Sequence, residues 1–238
     1  MRKLVQRICS AHRSGPLQNG GLKRWLVELL CLTTLLSASF AHSGSQLQVR
    51  VLDDGQSPLE NAVISLVPLF EHQPASVPGE ALVKQQGAQF RPFVQPVQVG
   101  TKVSFPNFDD FRHHVYSFSK AKRFQLQLYG QDESKSIVFD KPGVIALGCN
   151  IHDNMLAFVY VTDHPFYSLS GDDGTVSFDD LPAGTYKVYA WHPDIKGRTE
   201  VEISSIELVD GEPQSLDAEL ILKSARSVQY PPDENGNY

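Results

Sequence analysis

The sequence predicts an all-β protein built from two β-sandwiches, and three observations carry that expectation. The dominant hydrophobic period is two: "QLQVRVL", "AVISLVP", "FQLQLYG", "TVSFDDL" and "TYKVYAW" place apolar residues at alternate positions. That is the spacing of strands with one buried face. Glycine and proline punctuate the chain at short intervals, from Gly55 and Pro58 through Gly100, Pro106 and Gly130 to Pro182 and Gly184. Short strands separated by such turn residues make sandwiches. No apolar stripe of period 3.6 is sustained, so no long helix is expected.

Taken in order, residues 1–41 have the features of a signal peptide. Arg2, Lys3, Arg7, Arg13, Lys23 and Arg24 precede the apolar run "WLVELLCLTTLLSASFA", and Ser39 and Ala41 are small residues suited to a cleavage site. The run is short for a membrane span and contains Glu28, which favours a cleaved leader over an anchor. Cleavage would leave 15 Lys+Arg against 26 Asp+Glu, a formal net charge of −11. Such an acidic chain is a poor partner for nucleic acid or an anionic membrane surface. No later segment is long and apolar enough to span a bilayer. An exported protein without a membrane span after signal cleavage is expected, and the resemblance described below implies the periplasm.

Two later stretches share one grammar. "VRVLDDGQSPLENAVISLVP" (49–68) is strand, turn, strand; "SGDDGTVSFDDLPAGTYKVYAWHP" (170–193) repeats it and adds a turn feeding a further strand. The acids of "GDDGTVSFDD" lack the bidentate carboxylate of a calcium loop and are read as turn residues. Together the two stretches resemble the halves of a carboxypeptidase regulatory-like (transthyretin-like) sandwich. The resemblance implies a discontinuous domain, 46–70 plus 164–222, with a second sandwich at 79–163 inserted between its strands, as surface loops allow. Residues 224–238, "SARSVQYPPDENGNY", are polar and aperiodic, and a flexible tail is expected.

The inserted segment holds the unusual chemistry. Beyond residue 41 the chain has one cysteine and one methionine, Cys149 and Met155, and both lie in "LGCNIHDNM" with His152 between them. A lone thiol cannot close an internal disulfide, and in an oxidising compartment it is either inert or committed to other chemistry. A redox copper ion is served by two imidazoles and a thiolate with a weak axial thioether, a set that suits both oxidation states. A C-x2-H-x2-M loop supplies three of these donors, and the fourth must come from a neighbouring strand. Upstream, "VGTKVSFPNFDDFRHHVYSF" (99–118) offers His113 and His114 at the start of an alternating strand. Adjacent strand residues face opposite sides, so only one can reach the ion. A zinc site of one cysteine and two histidines fits the same donors; Met155 favours copper.

These two motifs resemble those of the cupredoxins, the type 1 blue copper proteins: "G-x-x-V-x-[FW]-x-N … H-[NH]-V" and a Lys/Pro-Gly strand start before the cysteine. The short C-x2-H-x2-M spacing is similar to that of amicyanin. The motifs also resemble those of methylamine utilization proteins of Gram-negative bacteria. The resemblance implies a Greek-key cupredoxin domain holding one type 1 copper ion through His113, Cys149, His152 and Met155, with His114 the alternative to His113. It implies a non-enzymatic one-electron carrier that meets periplasmic redox partner proteins through His152, with Leu156 and Phe158 expected in an apolar patch around it. Gly148, before the cysteine, is expected to leave the sulfur more accessible, and Asp153 to favour the oxidised ion. His72, His164 and His192 are read as loop or cap residues without a metal role. No nucleophilic triad, phosphate loop or additional histidine-rich centre argues for an enzyme. The alternative is a non-redox envelope binding module or copper carrier on the same two sandwiches.

Overall fold

The computed structural model describes residues 44–72, 78–197, 199–224 and 226–229. The signal-peptide reading of residues 1–41 lies outside them, as do residues 230–238 of the expected tail. Every regular element among the described residues is a strand, and none of these residues forms a helix long and apolar enough to cross a membrane. The fold class is all-β.

In chain order, β1 (Ser45–Asp53) and β2 (Val63–Pro68) come first. They are followed by β3 (Glu80–Leu82), β4 (Lys84–Gln85), β5 (Phe90–Arg91), β6 (Val94–Gln98), β7 (Lys102–Pro106) and β8 (His113–Ser117). Next are β9 (Phe124–Tyr129), β10 (Ser134–Val138), β11 (Gly143–Cys149) and β12 (His152–Thr162). The chain then returns through β13 (Phe166–Leu169), β14 (Thr175–Leu181), β15 (Gly184–Trp191), β16 (Val201–Leu208) and β17 (Pro213–Leu220).

Sheet membership follows this order. The strands of 45–68 and 166–220 form the sheets β14-β1-β17 and β13-β2-β15-β16, whose inward residues meet in one hydrophobic cluster. The strands of 80–162 form β6-β12-β11-β8-β9 and β10-β7-β3, around a second cluster, and β4 and β5 pair as a small hairpin. Backbone contacts gather the described residues into one compact unit.

Local sequence explains the faces. In β1, Leu47, Val49 and Val51 are buried while Gln46, Gln48 and Arg50 are exposed, the alternation of a strand with one wet face. β12 departs from this rule. Met155, Ala157, Val159 and Val161 enter the second cluster, while Phe158 and Tyr160 pack against the first. Trp191 stacks on Tyr160 at 5.2 Å and meets Phe158 edge-on at 5.9 Å. Its "MLAFVYV" is therefore apolar throughout, as in any strand buried on both faces. Gly174 marks a turn that admits no side chain: its φ is +73° and a Cβ would sit 2.6 Å from the Val51 carbonyl oxygen.

Residues 226–229, at the start of the stretch expected to be a flexible tail, make contacts with the rest of the fold. The Ser227 N–H donates to Asp194 Oδ1 (2.8 Å), and Arg226 reaches Asp53 (3.3 Å). The Gln229 carboxamide both accepts from the Phe90 N–H (2.9 Å) and donates to its carbonyl (2.6 Å). Hydrogen bonds between polar side chains and distant backbone groups follow no hydrophobic period, so composition does not reveal them.

Candidate metal centre

β8, β11 and β12 are neighbours in the five-stranded sheet, so residues at their ends share one rim. In β8 the pleat turns His113, Val115 and Ser117 inward and His114 and Tyr116 outward. β11 pairs with β8 through Cys149↔Val115 and Gly148↔Tyr116, which brings the cysteine to the inner face beside His113. β11 and β12 pair regularly up to Gly148↔Leu156; then the register jumps and Cys149 pairs with His152 across Asn150–Ile151. That irregularity folds His152 back onto the thiol. Met155 starts the regular inward alternation of β12 and lies in the same hydrophobic cluster as Cys149.

The resulting geometry is compact. Cys149 Sγ stands 3.7 Å from His113 Nδ1 and 3.4 Å from His152 Nδ1. The three candidate donor atoms lie within 4.8 Å of one another. Cys149 is a free thiol, 4% exposed, and Met155 is 2% exposed. An ion bonded to sulfur at about 2.3 Å and imidazole nitrogen at about 2.0 Å would hold those two donors about 3.5–3.8 Å apart at tetrahedral to trigonal angles. The 3.7 Å separation falls in that range and the 3.4 Å one just below it, and a soft sulfur with two imidazoles suits copper or zinc. His114, the alternative upstream histidine, is not brought to this cluster. Its ring faces Tyr116 on the outer side at 6.4 Å, and its backbone carbonyl accepts the Asn150 N–H (3.2 Å), tying the two loops.

Aromatic cover comes from one residue. The Phe111 ring lies 5.0 Å from that of His113 and 5.2 Å from that of His152, and the two imidazoles are 4.9 Å apart. Phe111 and, in the Asn150–Ile151 turn, Ile151 are exposed at this rim. Phe158, expected in such a patch, instead packs on Phe93 and Trp191 on the opposite face of β12. The parity of the strand explains this, because Met155 inward forces Phe158 outward. Gly148 does not open the sulfur to solvent either: the Tyr116 ring fills the space, with its Cζ only 2.7 Å from where a Cβ would stand.

Behind the donors lies a set of buried hydrogen bonds. Asp109 accepts from the Gly87 N–H (2.6 Å) and the Ala88 N–H (3.1 Å) and pairs with His113 Nε2 at 2.8 Å. Asn107 Nδ2 donates to the carbonyls of Phe111 (2.8 Å) and Tyr129 (3.3 Å), while its Oδ1 accepts the Asp109 N–H (2.9 Å). Burial opposes the Asp109 charge, yet the hydrogen bonds from His113, Gly87 and Ala88 outweigh it and hold its carboxyl below the ordinary range. Burial depresses His113 as well, against the pull of Asp109, and depresses His152 with help from His113. Both imidazoles therefore favour the neutral form that can donate a lone pair. Tyr129, buried beside this set and hydrogen-bonded to Gln85 (2.6 Å) and the Phe105 carbonyl (2.7 Å), has its phenol pushed upward chiefly by burial.

His164 and His192 lie elsewhere. His192 is buried, and its Nδ1 accepts the Asp194 N–H (3.1 Å) as a turn cap. His164 Nδ1 meets Ser65 Oγ at 2.8 Å. It lines a groove of about 830 Å³ with Lys141, Tyr160 and Glu200, and none of His113, Cys149 and His152 lines that groove. In "GDDGTVSFDD", Asp173 accepts the Thr175 N–H (2.8 Å), which is turn chemistry.

No family model and no curated protein matches the chain. Part of it is similar to solved structures. A purple cupredoxin from Nitrosopumilus maritimus is 23% identical over 34% of this chain and 99% of its own, with a TM-score of 0.32. Amicyanin from Paracoccus versutus is 19% identical over 41% of this chain and 98% of its own, at 0.33. A Cu-containing nitrite reductase from Thermus scotoductus is 26% identical over 47% of this chain and 28% of its own, at 0.34. With TM-scores this low, the chemistry of this chain has to be read from its own residues.

Asp109 and Asn107 belong to the site as well, and "FPNFDDFRHH" alone does not single them out. Their signal is weak: an acid four residues before a histidine gains meaning only once the Gly87–Ala88 turn folds over it.

Proposed function

We propose that this chain is a mononuclear type 1 copper protein that carries single electrons. The single observation that carries the reading is the convergence of Cys149 Sγ, His113 Nδ1 and His152 Nδ1 within 4.8 Å at the rim of one sheet. Met155, buried in the same cluster, is the axial candidate and favours copper over zinc. Bound copper would supply a one-electron couple between Cu(I) and Cu(II).

The chain's own residues do the rest. Cys149 offers the soft donor from a nearly dry position, and His113, with no exposed surface, is held by Asp109. His152 stands at the rim beside exposed Phe111 and Ile151, where an apolar patch can bring a redox partner close to an imidazole. With both histidines, the thiolate and the thioether engaged, no donor position is left for a substrate, so the protein passes electrons without turning a substrate over. Export to the periplasm rests on the features of residues 1–41, and redox partners there follow from that location. A link to methylamine oxidation rests on the motif resemblance alone. The sheet membership of 45–68 and 166–220 supports a regulatory-like sandwich with the copper domain inserted.

The experiment is copper loading of the chain from residue 42. Intense visible absorption from a thiolate–Cu(II) bond is expected, and Cys149→Ser should abolish it while leaving the β-sheet circular dichroism unchanged. A second reading, a non-redox binding module, is favoured by the 830 Å³ groove at Lys141, Tyr160 and Glu200. A folded protein that takes up no copper and stays colourless would select it.

A further inference from the structure

The donor set leaves one buried ionisable group without a task. Asp109, 9% exposed, directs its carboxylate at the far nitrogen of the His113 ring, which has no exposed surface at all. Burying a charge is costly unless it is fully hydrogen-bonded. Here the Gly87 and Ala88 N–H groups converge on the two carboxylate oxygens, and the Asn107 side chain holds the Asp109 backbone by its N–H. Gly87 and Ala88 both have positive φ, 64° and 51°, so two successive N–H groups are turned toward the acid. For alanine that conformation is uncommon and unfavourable. A turn built this way is more than is needed to fill space; it provides for an anion at this point.

The consequence for His113 is stereochemical. An ionised carboxylate can only accept, so Nε2 must carry the ring's single proton. The lone pair is then on Nδ1, the atom that faces Cys149 Sγ at 3.7 Å. Oxygen and nitrogen at 2.8 Å also fix the ring's rotation about Cβ–Cγ. Outer partners of this kind orient a metal-binding histidine and make it a stronger donor.

We propose that Asp109 is the positioning residue of this centre, a buried anion that sets the tautomer and orientation of His113 and favours the more positive state of the bound ion. The inference rests on the copper reading for its last clause; the tautomer clause stands without any metal. A stronger, more negatively backed imidazole stabilises Cu(II) more than Cu(I), so the two affinities respond unequally to its loss. Asp153 provides the comparison, an exposed acid next to His152 whose field is open to solvent and salt.

The test has two arms. In the metal-free protein, nitrogen-15 shifts of the imidazoles should show His113 protonated at Nε2, and Asp109→Asn should mix the tautomers. In the copper-loaded protein, Asp109→Asn should weaken Cu(II) binding about tenfold or more, the scale of other outer-partner losses. Cu(I) binding should fall less, so that the Cu(II)/Cu(I) ratio at fixed applied potential drops; each tenfold drop is 59 mV for one electron. The shift should persist at high ionic strength, whereas that of Asp153→Asn should be smaller and screened. A wild-type His113 protonated at Nδ1 overturns the inference even if Asp109→Asn fails to fold. A folded Asp109→Asn protein with wild-type tautomer and potential also overturns it, leaving Asp109 as a support for the 87–88 turn. A wild-type protein without a copper chromophore overturns the copper reading instead, and the metal-free arm still decides the role of Asp109.

Discussion

Replacing Asn107 with alanine should loosen the whole approach to His113. The side chain has no exposed surface and makes three hydrogen bonds, two as donor to the Phe111 and Tyr129 carbonyls and one as acceptor from the Asp109 N–H. Each net hydrogen bond contributes about 1 kcal/mol, and a buried group left unpaired costs about 1–3. Phe111 is partly open to water, which can replace one partner, so the expected loss is about 2–4 kcal/mol. For a chain of this size that lowers Tm by about 5–15 °C. Asn107→Asp should be at least as damaging, because a carboxylate cannot donate to two carbonyls and would add an anion beside Asp109. Urea unfolding of the metal-free protein measures the change, with exposed Gln127→Ala as a comparison expected within about 0.5 kcal/mol of wild type. If Asn107→Ala also stays within that margin, the hydrogen bonds assigned to loop 107–111 do not hold it.

Three further outcomes are expected. Gly174→Ala should cost about 2 kcal/mol or more, since the new Cβ meets Val51 and Leu59 backbone atoms at 2.6 and 2.9 Å at a φ of +73°; thermal melting checks it, and an unchanged Tm would contradict the turn geometry. His192 is pushed down to about 4, chiefly by burial and against the attraction of Asp194. The unfolded chain then binds a proton near pH 6.5 that the folded chain refuses until about 4, so stability falls as pH drops through that window, by about 3 kcal/mol at most. His192→Asn, whose carbonyl can still accept the Asp194 N–H, should remove that part of the slope in urea titrations run from pH 7 to 4. Trp191→Ala should destabilise by about 3–5 kcal/mol. Because β12 packs into both clusters, ring and sheet signals should still be lost in one urea transition; two separate transitions would contradict that coupling.

How far the sequence could be read depended on how local each relation is. β1 and β14 were legible because one wet face makes the alternation plain, and β15 because half-buried and buried residues alternate along it. β12 was not, since its two faces are buried in different clusters and its run of apolar residues carries no parity of its own. The pairs β4 and β5, two residues each, are too short to leave a pattern. Cys149, His152 and Met155 stood out as candidates because seven consecutive residues hold them all. Between His113 and His114, strand parity demanded a choice, and the structure brings His113 to the thiol. Asp109 was illegible because its meaning comes from Gly87, Ala88 and the far side of an imidazole, groups brought together only by folding. Gln229 escaped for the same reason: its partner, Phe90, is remote in sequence.

The most direct measurement is copper X-ray absorption of the loaded protein, wild type beside Cys149→Ser and His113→Gly. One short sulfur bond and two imidazole nitrogens are expected in the wild type, with the sulfur lost from the first variant and one imidazole from the second. A wild-type spectrum with only nitrogen and oxygen neighbours, or one that neither substitution alters, would contradict a centre built from these side chains.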